Sequence, residues 1–564
     1  MSWFAGCYHY EGFATSFKLK IPKSYDNYIE KKELHLLSDN INTFITNTDA
    51  ELKIICGNIL KKSQGLWKLS DEAWIPENER PEVSGHYVGM NYSAKGLEFY
   101  NDQFGLRELY YFTNEDGTLY FSTRMDILLF WKKENRFDWE EFGSYWLNRN
   151  PLGHGYFIKG IERLNQAGKL VFNNNQIEKS TTNWTAIGEE KYKPEKVNDV
   201  MNEIESFLYA PQNSGYETLF ALSGGYDSRA LLAKLISSDI IYEAVTWGCD
   251  NHPDVKLARE IAELTGIEHN TIFTDLLDTD ESWKYFTDYC CRNQLVVMGT
   301  AVFELHHYHY LQKDKVLIDG GMGELIRRCM NANLEYRGKQ AIIERDVNKI
   351  LRYMTKSSAD VFRDELLKKM RSGLKERAEQ AVYEMPDASK IGIGNWIDTW
   401  DIRQRLSNIS SRSQQTLDDI MRNFMPYVQK PVIDKAMCIP ANIRSKNHII
   451  DMMIRHNAPM LMKLPTIRNA LRMRYGTGRI SGKIKAIIGR KWSYKKNTNE
   501  RFLNIHKDRI IEIAKDCSRN RLEIYDPVKI EGLVRNYYLT GEKEQEMIWW
   551  LSFEVFCQQF NIKQ

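Results

Sequence analysis

An α/β chain of two domains is predicted: an antiparallel β-sandwich followed by a parallel-sheet domain with helical additions. Three observations predict it. The first 170 residues or so alternate short aromatic or apolar runs with turn signals. After a charged stretch at 189–196 the pattern changes to short apolar strands alternating with amphipathic helices. From about residue 340 onward the chain reads mainly as helices.

In the first half, His86-Tyr87-Val88-Gly89-Met90, Leu97-Glu98-Phe99-Tyr100 and Leu119-Tyr120-Phe121-Ser122 read as strands, with turns at Asp116-Gly117 and Asn173-Asn174-Asn175. The boundary at the charged stretch sets two expected domains, residues 1–185 and 195–564. In the second, 217–222 reads as a buried strand and 229–236 as a helix with Leu231, Leu232 and Leu235 on one face. Then come a strand at 240–247, a helix at 254–265 stopped by Gly266, a strand at 268–273 and a strand at 315–318. Strict alternation of this kind implies βαβ units, a parallel sheet and ligands at the strand C-termini. The last helix, 545–560, places Ile548, Leu551 and Val555 along one stripe and Trp549, Phe553, Phe556 and Phe560 along the next, a wide apolar packing face too short to span a bilayer.

Composition narrows the function classes. The chain has 564 residues, 43% hydrophobic and 27% charged, enough for two cores and too apolar for disorder. Lysine plus arginine (77) nearly cancel aspartate plus glutamate (75), which argues against a nucleic-acid partner. Nine scattered cysteines without a C-x-x-C pair fit a reducing compartment. No apolar run approaches the roughly 20 residues that cross a bilayer, and the opening MSWFAGCYHYEGF lacks a signal-peptide layout. A soluble, cytoplasmic protein without membrane insertion is expected.

The chemistry-bearing motif follows the first strand of the second domain. In Ser223-Gly224-Gly225-Tyr226-Asp227-Ser228, with Leu222 before it, two glycines let the backbone turn tightly, and hydroxyls with helix-N-terminal amides form a nest for phosphate oxygens. No G-x-x-x-x-G-K-[ST] is present to grip a transferring γ-phosphate. Asp227 is expected to hold Mg²⁺ against a pyrophosphate group.

S-G-G-x-D-S after a strand resembles the loop of the ATP pyrophosphatase superfamily, which cleaves ATP to AMP and pyrophosphate. Further motifs resemble the asparagine synthetase family. Asp102-Gln103-Phe104-Gly105-Leu106-Arg107 with Tyr110-Tyr111, and Tyr156-Phe157 through Gly160-Ile161 to Ala167-Gly168, look like its class-II glutamine amidotransferase domain. Met425-Pro426-Tyr427-Val428-Gln429, Ile439-Pro440, Lys446, Ile454-Arg455 and Leu464-Pro465 resemble its C-terminal segments, with Gln429 in place of an aspartate. The resemblance covers nearly the whole chain. It implies an adenine-nucleotide α-hydrolase-like second domain, ATP and Mg²⁺ as cofactors, and Trp247 as a wall for adenine; the alternative for Trp247 is a core position, and His269 is read as a satisfied strand-start histidine.

Asp319-Gly320-Gly321-Met322-Gly323-Glu324-Leu325 resembles the family's second acidic loop, G-E-G-S-D-E-L, in part. Gly323 stands where the metal-binding aspartate is expected and Gly320 where the substrate-side glutamate is expected. Asp319 is then expected to reach the metal in their place, with Asp319 and Glu324 as the catalytic pair. Near the place of the family's lysine stand only arginines, Arg468, Arg472 and Arg474, and which of them replaces it is left open by the resemblance.

The family begins M-C-G-I and uses the cysteine, once exposed by methionine removal, on glutamine. Here Ser2 replaces the thiol, and no N-G-E-[IL]-Y-N run cradles glutamine. Two losses favour an inactive glutaminase, with Ser2 as an N-terminal hydroxyl nucleophile as the other option and Cys7 a buried apolar position. The basic run 472–496, free of acids, is a solvated face, a flap over ATP phosphates or a dock for an anionic acceptor.

The resemblance therefore implies an amide-forming ligase that adenylates a small-molecule or sugar-acid carboxylate and passes it to an amine or ammonia; a homodimer is compatible with it. The rivals are a true glutamine-hydrolysing asparagine synthetase and a non-catalytic scaffold retaining the fold.

Overall fold

The computed structural model describes residues 2–14, 19–20, 25–186, 188, 190–273, 278–305, 310–311, 314–328, 331–354, 358–445, 447–468, 471–473 and 498–563. Thirteen strands form two antiparallel sheets: β1 (Phe4–Tyr8), β2 (Asn27–Glu30), β3 (Leu34–Ser38), β4 (Thr43–Asn47), β5 (Leu52–Ser63), β6 (Leu66–Ser70), β7 (Val83–Ser93), β8 (Gly96–Asn101), β9 (Tyr110–Thr113), β10 (Leu119–Ser122), β11 (Glu162–Arg163), β12 (Gly168–Asn173) and β13 (Gln176–Thr181). One sheet runs β11-β9-β10-β1-β3-β2; the other runs β13-β12-β8-β7-β5-β4, with β6 on β5. Their facing sides bury Phe4, Leu36, Ile54, Val88, Phe99 and Phe121 in one core. The two-residue period explains the arrangement, since β1 sends Phe4 and Tyr8 into this core while Ala5 and Cys7 pack on Ile127 behind it.

A five-stranded parallel sheet follows, made of β14 (Thr218–Ala221), β15 (Tyr242–Gly248), β16 (His269–Phe273), β17 (Val316–Asp319) and β18 (Asn423–Phe424), ordered β16-β15-β14-β17-β18. The central strands β14 and β17 are covered on both faces and almost wholly apolar, while the edge strand β16 is polar in part. Phe220, Ala244, Ile318 and Phe424 meet helices Pro194–Leu208 and Tyr226–Ile236 on one side, while Leu219, Val245 and Leu317 meet Leu417 and Met421 on the other. Helix Pro253–Thr265 ends where Gly266 turns left-handed at φ 68°, a conformation free of Cβ strain only for glycine. The chain reverses order between β14 and β17, so the loops leaving these two strands flank the crevice where open α/β sheets hold ligands.

Three features depart from expectation. The first half carries helices at Met125–Trp131 and Trp139–Asn148 besides its strands, and these pack into the same core as Phe286, Phe362, Phe502 and Phe553. The final helix, Glu544–Gln559, is enclosed on every side from Met547 to Cys557 rather than along one face. Glu554, fully buried there, is matched by Arg521 at 2.6 Å and by the Tyr525 hydroxyl. Late in the chain, besides helices, lie β18 and a small hairpin, β19 (Thr466–Arg468) with β20 (Leu471–Met473). Among the described residues no helix is long and apolar enough to cross a membrane.

Candidate active site

The glycine loop after β14 is shaped by its own side chains. The Ser223 and Ser228 hydroxyls lie 2.8 Å apart, the Ser223 N–H donates to Ser228 Oγ at 3.2 Å, and the Gly225 N–H donates to Ser223 Oγ at 3.3 Å. The Gly224 N–H donates to Asp254 Oδ1 at 2.8 Å, from the first turn of helix Pro253–Thr265. Among the described residues no side chain caps helix Tyr226–Ile236, which begins at this loop and presents its positive end to the crevice. Leu222, buried behind the loop, accepts from Thr246 Oγ1 at 2.7 Å.

The acidic loop after β17 packs against the glycine loop at backbone distance. A Cβ on Gly320 would fall 2.9 Å from the Ser228 backbone nitrogen, and one on Gly323 would fall 2.3 Å from Asp227 Cγ. Glycine at both places lets the loops touch, and it sets Asp227 against the start of the helix that carries Glu324. Met322, at φ 63°, takes the left-handed turn into the short helix Gly323–Arg327.

The carboxylates are treated differently by their surroundings. Asp227 is gripped by Arg327, whose Nε and Nη2 donate to its two oxygens at 2.6 and 2.9 Å. The oxygens expected to face Mg²⁺ thus face a guanidinium, while the Tyr427 hydroxyl donates to the Asp227 carbonyl at 2.9 Å. Asp319 accepts from the Gly321 N–H at 2.9 Å, and no basic side chain pairs with it among the described residues. Burial therefore pushes its carboxyl above the ordinary carboxylate range, with the Gly321 bond opposing. No group of three or more His, Cys, Asp or Glu side chains that could hold a metal occurs among the described residues. Asp319, desolvated and with no basic partner among the described residues, suits Mg²⁺ shared with substrate phosphates, the usual way that ion is bound. Asp227 suits it only with Arg327 displaced.

Glu324 is partly buried in the first turn of its helix and faces Asp401, the first residue of a π-helical segment, Asp401–Ser410. Burial first, then the Asp398 and Glu324 carboxylates, push Asp401 up to about 8, against Arg405 and Arg328. Asn331 Nδ2 donates to it. A carboxyl raised in the fold stabilises the protein below its unfolded value and loses that contribution as pH climbs through the folded one. Asp401→Asn should therefore gain stability over the parent progressively from pH 3.8 to about 8 and hold the gain above it. Denaturant unfolding at pH 5, 7 and 9 checks this; a constant difference between the two proteins would contradict it.

Trp247, at the end of β15, is partly buried and packs on the Leu219 and Val245 cluster, beside the strand that feeds the glycine loop. His269 opens β16 with Nε2 2.9 Å from Thr246 Oγ1. Arg229, unremarked in the sequence, is fully buried and donates to the carbonyls of Leu461, Leu464 and Pro465, tying the segment before the hairpin to the glycine-loop helix. The Ile467 N–H then donates to the Gly224 carbonyl at 2.9 Å, laying β19 on the loop. Lys446, Arg474 and nearly all of the basic run fall outside the described residues.

At the other end of the chain Ser2 is buried. Its N–H donates to Asp419 Oδ1 at 3.2 Å, and its hydroxyl lies 3.2 Å from the Asn42 carbonyl and 2.9 Å from Cys56 Sγ. Neither hydroxyl partner is a general base. Beside it Asp418, from the end of helix Ser411–Asp418, lies 2.8 Å from His86 Nε2, pairs with Arg107 at 3.2 Å and accepts from Asn58 and Asn423. Burial pushes the Cys56 thiol up to about 11, and Cys7 is raised further by the same cause. No activated thiol stands here. The Gln429 side chain, expected beside the active site, instead bridges the Gly85 N–H at 2.9 Å and the Met425 carbonyl at 2.9 Å.

Arg327, Asp254 and Asp401 adjoin these loops without having been singled out in the sequence, and Tyr427 was read only as part of the Met425–Gln429 motif. Asp254 carried a signal as the residue after proline at the start of the second helix, and Tyr427 one through its motif.

No protein-family profile and no curated protein matches the chain. Among solved structures, glutamine phosphoribosylpyrophosphate amidotransferase from B. subtilis, complexed with ADP and GMP, is 12% identical with a TM-score of 0.17, over 43% of this chain and 52% of that one. A structure described as the allosteric regulatory enzyme of purine biosynthesis is 12% identical with a TM-score of 0.18, over 56% of this chain and 65% of that one. The chain thus spans half to two thirds of these structures, and likenesses this slight carry no weight for function.

Proposed function

We propose that the chain is an ATP-dependent, amide-forming ligase that activates a carboxylate as its adenylate with release of pyrophosphate. The observation that supports this is the meeting of the glycine loop with the acidic loop at the point where strand order reverses, two glycines deep. The uncapped helix start at Gly225 and the Ser223 and Ser228 hydroxyls would hold the β- and γ-phosphates. Asp319 would hold Mg²⁺, whose charge offsets that gathering on the leaving pyrophosphate. Arg327, turned from Asp227 toward the phosphates, would supply a bidentate clamp. The substrate carboxylate oxygen attacks the α-phosphorus, the bond to the pyrophosphate oxygen breaks, and an amine or ammonia then displaces AMP from the acyl carbon. Glu324 would face the acceptor side, and Trp247 the adenine.

The antiparallel half supports an amidotransferase-type ancestry in which glutamine is no longer used. Ser2→Ala should then change ammonia-supported turnover by no more than about twofold, because free ammonia captures the adenylate without any glutamine hydrolysis at position 2. A glutamine-dependent rate that disappears in Ser2→Ala would favour a working glutaminase instead. The activity itself is tested by a pyrophosphate-release screen of the full chain against a carboxylate library, with ammonia or glutamine as donor. Release with one carboxylate class is expected; silence across the library with folded protein would favour a scaffold.

A further inference from the structure

The ion pair between Arg327 and Asp227 joins one partner that is fixed to one that can move. Its two bonds, 2.6 Å from Nε and 2.9 Å from Nη2, occupy both carboxylate oxygens, and the side chains are only 18% and 17% exposed. Asp227 has little freedom to leave. Gly323 lies so close that a Cβ there would fall 2.3 Å from Asp227 Cγ, and the Tyr427 hydroxyl holds the Asp227 carbonyl at 2.9 Å. Arg327 reaches it on a long side chain from the end of helix Gly323–Arg327, its guanidinium 5.9 Å from the Tyr226 ring centre.

That short helix is bracketed by residues other than glycine in the left-handed region, Met322 at φ 63° and Arg328 at φ 47°. Such conformations persist where the surrounding structure imposes them. Arg328 makes the imposing contacts: it is buried, pairs with Asp398 at 2.8 Å and Glu335 at 3.0 Å, and donates to the Gly394 carbonyl at 3.2 Å. The two adjacent arginines thus differ in duty. Arg328 pins the backbone, while the Arg327 side chain can exchange one anionic partner for another. A triphosphate offers its fork the same paired oxygens as a carboxylate, with more negative charge. A divalent cation alone offers it no anion, and must displace a like charge from Asp227 without compensation.

We propose that Arg327 is a latch that makes divalent-metal binding at Asp227 conditional on nucleotide. In the nucleotide-free chain its guanidinium fills the cation's place on the carboxylate; arriving phosphates draw it away, and Asp227 becomes available to the metal. The latch rests on the ATP-dependent reading for the identity of the nucleotide, and adds to it an order of loading in which metal does not precede nucleotide.

Two binding measurements on the full chain test this without turnover. Mn²⁺ alone, a paramagnetic stand-in for Mg²⁺, is titrated with free ion read by electron paramagnetic resonance. The analogue α,β-methylene-ATP, which cannot be cleaved at the α-phosphorus, is titrated in EDTA by calorimetry. Arg327→Gln should bind Mn²⁺ about tenfold more tightly than the parent and the metal-free analogue about tenfold more weakly. Opposite signs are the signature, since damage to the fold would weaken both. Adding Asp227→Asn to Arg327→Gln should remove the gain in Mn²⁺ affinity. Arg327→Lys, which keeps the charge but loses the fork, should fall between parent and Arg327→Gln in both titrations, and answers the question if Arg327→Gln does not fold. Mn²⁺ affinity unchanged by either Arg327 variant would overturn the latch and leave a structural ion pair only. Failure of the parent to bind the analogue would instead contradict the ligase reading, and the nucleotide half of the latch with it.

Discussion

Asp319→Asn is expected to lower ATP-dependent pyrophosphate release by roughly 10²–10³-fold, the scale on which a single preorganised electrostatic group acts in a dry site. The same change should leave the fold as stable as the parent, or more so, at neutral pH. Burial raises the carboxyl of Asp319 and no described basic side chain offsets it, so its ionised form is disfavoured in the fold. The amide is isosteric, still accepts from the Gly321 N–H, and carries no charge. Opposite signs for stability and activity separate this substitution from ordinary damage, because a residue retained against the interest of the fold is retained for another reason. Thermal unfolding alongside single-turnover kinetics measures both. Asp319→Asn with parental turnover would remove Asp319 from the proposed machinery.

Phe553→Ala should cost about 3–5 kcal/mol, the range for deleting a fully buried aromatic side chain. Phe553 is 0% exposed and lies with its ring centre 5.4 Å from Phe137, 5.1 Å from Phe142, 5.4 Å from Trp146 and 5.3 Å from Phe362. Three of these partners belong to the first half of the chain. The final helix therefore closes a core to which the amino-terminal helices contribute, and the loss should appear as one lowered, cooperative denaturation midpoint. A change below about 1 kcal/mol would mean that this core relaxes around the cavity or that the helix is only loosely docked.

The parallel sheet was the most legible part of the sequence, because strands buried on both faces spell themselves as short apolar runs between glycines and helices. Predicted bounds at 217–222, 240–247, 268–273 and 315–318 fall within two residues of the strands found at each end. β18 escaped notice because two residues, Asn423–Phe424, carry no periodicity, and its place is set by the neighbouring β17. The helices at Met125–Trp131 and Trp139–Asn148 were hidden by their aromatic content, which suits strands equally well, until packing against distant helices decided the matter. The final helix looked one-sided because periodicity shows which residues are apolar and not how many neighbours enclose them.

The site was legible only where chemistry is local. The glycine loop, its serines and the acidic loop can be read from contiguous residues. The pairing of Arg327 with Asp227, one hundred positions away, depends on β14 and β17 lying side by side, and no local pattern announces it. The same holds for Asp418, brought beside Ser2 by the docking of a helix from the second half. The serine at position 2 can be read from the sequence; its placement between the Asn42 carbonyl and the Cys56 thiol cannot, because both partners come from distant strands and turns.

The nature of ATP cleavage tests the central claim most directly. With a productive carboxylate and amine, the full chain should convert ATP into AMP and pyrophosphate in equal amounts, resolved by phosphorus NMR or by chromatography of labelled nucleotide. Formation of ADP and inorganic phosphate instead would place attack at the γ-phosphorus and contradict adenylation at the glycine loop.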